Sequence, residues 1–171
     1  MAENKKTLTV TQQVRELIYD IQNKSYLTGQ SRESDGTNGY EVASNMQASD
    51  DAECSYQIRR SLTNAFSVLK SELGEYLSEE KTTSNNLIAS EIEENGVLTL
   101  TFELPSNYNN AMADSLGNGI HAYLVDKALG EWFAITNKAD ADTYIAHSMV
   151  SLDVVKRALH KRMRPERPTY S

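Results

Sequence analysis

Residues 87–105 read LIASEIEENGVLTLTFELP. Leu98, Leu100, Phe102 and Leu104 alternate with Thr99, Thr101 and Glu103, the period of a strand with one buried face. Asn95-Gly96 just before them is the dipeptide that favours a two-residue type I′ turn, because both residues tolerate positive φ. The stretch therefore predicts a β-hairpin over 87–104, closed by Pro105. Its two arms do not match in pattern. A two-residue turn pairs Glu94 with Val97, which sets Ile88 and Ile92 on the face opposite Phe102. Either a bulge shifts the register or the tip Glu94, Asn95 and Gly96 projects into solvent to meet a partner, and the second reading is preferred because an isolated hairpin is marginal.

Everything around this insertion reads as helix. Upstream, Val14, Leu17, Ile18 and Ile21 share a helical stripe within a first helix over about 10–24, capped by Thr9 or Thr11 and followed by Gly29. Ile58, Leu62, Ala65, Phe66, Leu69, Leu73, Tyr76 and Leu77 mark a long second helix that opens near Ser49 or Asp50. Downstream, Met112, Leu116, Ile120, Tyr123, Leu124, Ala128, Trp132 and Phe133 mark a central third helix from Ser106 or Asn107 to about Thr136. Gly117, Gly119 and Gly130 within it cost about 1 kcal/mol each relative to alanine, which implies that another element presses on the backbone. A short NKADAD connection, capped by Asp140 or Asp142, leads to an antiparallel fourth helix carrying Ile145, Met149, Leu152, Val155, Leu159 and Met163 up to Pro165. The fold class is thus α+β, predominantly α: a four-helix bundle with a β-hairpin inserted between helices 2 and 3.

Two segments fall outside that bundle. Residues 28–49 are rich in Ser, Gly and Asn and exceed the usual length of a structureless loop. They form either a linker or an arm that orders on a neighbouring subunit through Tyr40, Val42 and Met46. The other is the C-terminus, RPERPTYS at 164–171, whose prolines favour an extended chain. Residues 1–163 then make a single helical domain, and 164–171 a tail.

Charge sharpens the contrast between them. The 171 residues carry a net charge of −7, yet residues 156–171 hold six Lys/Arg against one acid, which leaves −12 on the rest. Cations in the last turn of a helix are stabilising in themselves. That reading leaves Arg164, Arg167, Pro165 and Pro168 unexplained, and a pre-extended arginine segment suits docking on carboxylates of a partner, with Tyr170 beside them. The acidic balance disfavours a general nucleic-acid binder. No apolar run reaches transmembrane length and no secretory h-region follows the N-terminus.

Candidate chemistry is sparse. The single cysteine, Cys54, excludes an intrachain disulfide and a thiolate cluster, and acidic neighbours oppose thiolate character. His121, His147 and His160 show no metal-ligand spacing; His121 is placed to meet Asp114 or Asp126. The glycines of GNGIHAYLVDKALG lack the order of a phosphate loop, and no GxSxG elbow occurs. The reading is a non-enzymatic chain with no catalytic residue, no metal and no cofactor.

The closing pattern, IHAYLVDKALGEWFAIT at 120–136, a short acidic turn, then YIAHSMVSLDVVKRALHKRMRPERP at 144–168, resembles the last helix pair of the small head–tail connector (adaptor) proteins of tailed bacteriophages. The likeness spans about residues 105–168. It implies a virion neck subunit, made in the host cytoplasm, that assembles with copies of itself into a ring, twelve-fold by the family pattern. It also implies portal protein on one side, tail or further neck proteins on the other, and packaged DNA passing through without sequence-specific binding. The hairpin and the 28–49 arm depart from the all-helical form of many connectors. A bacterial cytoplasmic accessory protein that binds one partner through a helical groove is the competing expectation.

Overall fold

The computed structural model describes residues 4–33, 47–49, 51–78, 81–82 and 92–169. Within them the chain is α+β and predominantly α, with four helices and a two-stranded antiparallel sheet. The order is β1 (Lys6–Gln13), α1 (Val14–Glu33), α2 (Ala52–Glu72), β2 (Val97–Leu104), α3 (Ala113–Thr136) and α4 (Lys138–Leu159).

β2 is the alternating strand expected at 97–104, and its partner within the described residues is β1. The register runs from Lys6 opposite Leu104 to Gln13 opposite Val97. Leu8 lies against Phe102 and Val10 against Leu100, while Thr9 faces Thr101 and Thr11 faces Thr99, so one face is apolar and the other is a threonine ladder. The sequence reading put Val10 and Thr11 into the first helix. They belong to the strand, because KTLTVTQQ alternates with period two and helical spacing takes over at Val14. α1 then continues past Gly29 to Glu33. The outgoing arm expected at 87–94 falls largely outside the described residues, as do Tyr40, Val42 and Met46 of the 28–49 stretch. At the tip, the Gly96 amide donates to the Glu93 carbonyl at 2.9 Å, so the turn spans 93–96, one residue earlier than the type I′ reading requires. A Cβ on Gly96 would stand 3.0 Å from that carbonyl oxygen, which accounts for glycine there without a positive φ.

α2 ends at Glu72, and the chain passes through a 3-10 turn at Gly74–Tyr76 into an isolated bridge from Leu77 to Phe102. Tyr76 and Leu77 thus lie beyond the helix that the spacing assigned them to. α3 starts at Ala113 and not at 106 or 107, because the intervening residues make a turn closed by Tyr108 N–H to Pro105 O at 3.0 Å and a 3-10 turn capped by Asn109. The cap of α4 is Asn137, whose side-chain oxygen accepts from the Ala139 amide at 3.1 Å while its nitrogen donates to Asp140 at 2.9 Å. Asp140 supports this cap and is not itself the first cap residue.

α3 is the hub. It packs on α1, α2, β1 and α4, and buries Leu116, Ile120, Tyr123, Leu124, Val125, Ala128, Leu129 and Phe133. Burial of one such Leu or Phe contributes about 1.5–3 kcal/mol. α4 returns antiparallel along the full length of α3 and makes far slighter contact with everything else. Two glycines set this approach. A Cβ on Gly119 would stand 2.8 Å from Cγ2 of Val155, and one on Gly130 would stand 2.7 Å from Cγ1 of Ile145. Both neighbours are β-branched and have little rotamer freedom with which to retreat.

Gly130→Ala gains about 1 kcal/mol of helix propensity and costs about 1–3 kcal/mol in overpacking. A net loss follows, expected as a fall of several degrees in melting temperature, as for Gly119→Ala. Gly74→Ala, with nothing within 4 Å of its added Cβ, is the control that leaves the melting temperature within a degree or two.

Candidate interaction surfaces

The C-terminal segment is built on the last turn of α4. Arg162 donates from its guanidinium to the Leu159 carbonyl at 2.9 Å, filling one of the acceptors that a helix end leaves open. Lys156 reaches Glu72 of α2 at 2.6 Å, and Arg157 pairs with Asp153 one turn back at 2.7 Å. His160 bridges two elements. Its Nδ1 donates to the Lys156 carbonyl at 2.6 Å, since a carbonyl only accepts. Its Nε2 stands 2.6 Å from the Tyr76 hydroxyl, which can donate or accept. The two rings meet edge to face at 5.4 Å.

Beyond His160 the chain doubles back on the start of the 105–112 connection. Met163 donates to the Asn107 carbonyl at 2.8 Å and Asn109 to the Lys161 carbonyl at 3.2 Å, with Tyr108 bridged to Arg162 between them. The chain is therefore held at 161–163. Arg164, Pro165, Arg167 and Pro168 follow as an exposed segment without regular structure, and Tyr170 lies outside the described residues. The sequence reading placed Pro165 as the stop of α4, whereas the helix ends six residues before it, at Leu159, ahead of the Arg162 cap and the 107–109 contact. Glu94 and Asn95 are exposed and Gly96 half-buried at the turn, at the end of the sheet opposite Leu104, from which the chain leads to the contact with the tail's root.

Tyr108 fixes the root of the tail from below. Its ring is fully buried, and Lys6 donates to its carbonyl at 3.0 Å. Its hydroxyl has no hydrogen-bond partner among the described residues. Burial pushes its pKa up, and the nearby Arg162 charge pulls the other way.

A second surface is a cleft of about 400 Å³ between β1 and the first two turns of α3. Leu8, Thr9, Val10, Thr11 and Gln12 line it from one side, with Asp114, Gly117, Asn118 and His121 from the other. A strand touches a cleft with consecutive residues only along its edge, since alternate side chains point to opposite faces. The register says which groups that edge presents. Val14 donates to the Gly96 carbonyl at 3.1 Å, which makes this a hydrogen-bonded pair and, by alternation, turns the backbone groups of Leu8, Val10 and Gln12 toward β2. Those of Thr7, Thr9 and Thr11 therefore point outward. The far edge of β2 agrees: Thr101, opposite Thr9, turns its carbonyl away from β1 to accept from Ser78 at 2.8 Å.

His121 closes one end of this cleft. Its Nε2 stands 2.6 Å from Asp20 of α1 and its Nδ1 3.0 Å from Oε1 of Gln12, whose own Nε2 donates to the Gly117 carbonyl at 2.9 Å. The residues expected to meet it are engaged elsewhere: Asp126 is buried and paired with Lys24 at 3.1 Å, and Asp114 is exposed on the rim. Both ring nitrogens of His121 face acceptors. The pairing ties β1, α1 and α3 together, and the sequence carried no signal of it because Gln12 and Asp20 are about a hundred residues away.

The third surface is the outer side of α4. Met149 and Val150 are 67% and 62% exposed and Val154 37%. Met149 was expected on the buried stripe with Val155 and Leu159; one residue's rotation away from Ser148, which is buried against α3, carries it outward. Met163, also expected inside, is half exposed on the segment that returns past residues 107–109.

Among the described residues no three potential metal ligands stand together, and no helix is long and apolar enough to cross a membrane. Comparison with protein-family models, with curated proteins and with solved structures finds no match to this chain.

Tyr108→Phe deletes a buried hydroxyl that has no partner among the described residues, while the backbone contacts of residue 108 remain. Stability is expected to rise by about 1 kcal/mol, read from the denaturation midpoint; a fall of that size would mean that the hydroxyl is satisfied in the folded protein.

Proposed function

We propose that this chain is a non-enzymatic structural subunit of the head–tail connector type, which assembles into a ring in the neck of a tailed-phage virion and joins portal to tail. The observation that carries the reading is the C-terminal segment: anchored by two backbone hydrogen bonds at 161–163, then exposed from Arg164 through Thr169 with two arginines and two prolines. A fixed root with a solvent-borne tip suits an element whose partner is another chain. Proline restricts the free segment, so less conformational entropy is lost on docking, and arginine forks take carboxylates on portal or a neighbouring subunit. The turn at Glu94 and Asn95 and the arm holding Tyr40, Val42 and Met46 are assigned as further contacts within the ring.

Removing residues 164–171 leaves the 161–163 anchor intact. The truncated chain is expected to keep its circular-dichroism spectrum and melting temperature and to lose attachment to particles. Complete particles that carry the truncated chain at full occupancy would overturn the docking role.

The cleft favours a second reading, an accessory protein that binds a single partner along the β1 edge. An extended peptide adds to such an edge through backbone hydrogen bonds. Thr9→Pro separates the two readings, because the lost N–H points away from β2 and the β1–β2 ladder is spared. The accessory reading expects partner capture to fall at least tenfold in this variant; the connector reading expects particle incorporation unchanged.

A further inference from the structure

The cleft beside β1 has two walls of different chemistry, and together they describe what fits between them. On one side stand the outward backbone groups of Thr7, Thr9 and Thr11, which have no hydrogen-bond partner among the described residues. They span four residue rises, about 13 Å, the length of a five-residue strand. On the other side α3 runs in the same direction as β1. A Cβ on Gly117 would lie 3.9 Å from Cγ1 of Val10, and Gln12 meets the Gly117 carbonyl at 2.9 Å and His121 at 3.0 Å. Asp114, Asn118 and His121 recur at helical spacing on the face that borders the cleft.

An extended polypeptide offers donors and acceptors at the repeat of this edge. Side chains of the added strand level with Thr7, Thr9 and Thr11 join the exposed threonine face; those level with Leu8, Val10 and Gln12 turn toward α3. The residue level with Leu8 then comes beside Asp114, and the one level with Val10 beside Gly117 and Asn118. Charge selects the first of these. Of the two titratable side chains that line the cleft, His121 is engaged by Asp20 and Gln12, whereas Asp114 is exposed and has no ion pair among the described residues. Cations near the two ends of β1 are occupied: Lys6 by the Tyr108 carbonyl at 3.0 Å, Lys5 by Glu103 at 3.4 Å, Arg15 by Glu16 at 3.7 Å, and Arg162 by the Leu159 carbonyl at 2.9 Å. The place of Asp114 in the first turn of α3 suits the helix dipole, and a cation laid along the cleft adds a partner without displacing it.

We infer that the cleft takes an extended segment of another protein as a third strand, and that this segment carries Lys or Arg at the residue level with Leu8, paired with Asp114. The inference rests on the accessory-protein reading and adds to it the chemistry of the partner. A second β1, paired antiparallel about Thr9, sets Val10 level with Leu8 and offers Asp114 no cation, so a second copy is not the occupant.

The test uses the full chain and a palindromic peptide, acetyl-Thr-Lys-Thr-Val-Thr-Lys-Thr-amide, which presents a lysine to Asp114 in either strand direction. Titration is expected to shift the backbone amide resonances of Thr7, Thr9 and Thr11 and to slow their hydrogen exchange. Replacing both lysines by glutamate is expected to weaken binding about tenfold. Asp114→Lys, at an exposed position, cancels that preference, while Asp142→Lys, which changes the net charge equally on exposed α4, leaves it in place; melting temperatures show that both variants fold. Absence of binding at millimolar peptide overturns the inference. So does binding that Thr9→Pro leaves intact, since the peptide then sits elsewhere. Equal binding of the lysine and glutamate peptides, or a preference that Asp114→Lys does not change, overturns the basic partner alone: the edge itself is read separately, by the loss of partner capture in Thr9→Pro.

Discussion

The contact of α3 with α4 through Gly119 and Gly130 governs the rest of the molecule. Eleven residues apart, the two glycines lie on one face of α3 and let Val155 and Ile145 approach to 2.8 and 2.7 Å from where a β-carbon would stand. This closeness fixes where α4 ends, and that in turn fixes where the chain meets residues 107–109. Lys156 then reaches Glu72, and His160 reaches Tyr76. A wider spacing would move those partners by more than hydrogen bonds tolerate. The glycine cost in helix propensity is thus offset by packing that positions a whole terminus.

The parts of this fold visible in the sequence are those with local cause. β2 announces itself by strict alternation, α3 and α4 by spacing, and the glycines of α3 imply a close neighbour that the structure identifies as α4. β1 was missed because a strand is defined by its partner, and that partner lies about ninety residues on. Val10 suits both the strand and a helical stripe with Val14 and Leu17, and local sequence does not choose between them. The same blindness hid His121, which meets Gln12 and Asp20 rather than the aspartates nearest in sequence. Caps were near misses: Asn137 outcompeted Asp140 and Asp142, since both its amide atoms are used, one on Ala139 and one on Asp140.

Of the expected contact residues, the tail was legible in kind but not in its anchoring. Two prolines and a charge imbalance predict an extended basic segment. Nothing in the sequence says that Met163 and Lys161 pair with Asn107 and Asn109 first. The edge of β1 was illegible for the reason β1 itself was, and the outer face of α4 because Met149 and Val150 fit a buried stripe as well as an exposed one until the rotation of the helix is known.

The three surfaces make different physical demands on a partner, and this limits which can serve together. The β1 edge offers backbone groups at every second residue, so a strand added there must donate and accept in the same register. The tail of a second copy is a poor candidate for that role. Pro165 and Pro168 are three apart, an odd spacing, so whichever face the segment presents, one proline turns its missing N–H toward the edge. What the tail exposes instead is its arginines, which suit carboxylates on a surface that does not need a ladder. The outer face of α4 offers no free backbone groups; it presents apolar area at Met149, Val150 and Val154 beside the exposed Asp153–Arg157 pair. The three surfaces therefore call for partners of different kinds: a strand for the β1 edge, carboxylates for the tail and apolar side chains for α4.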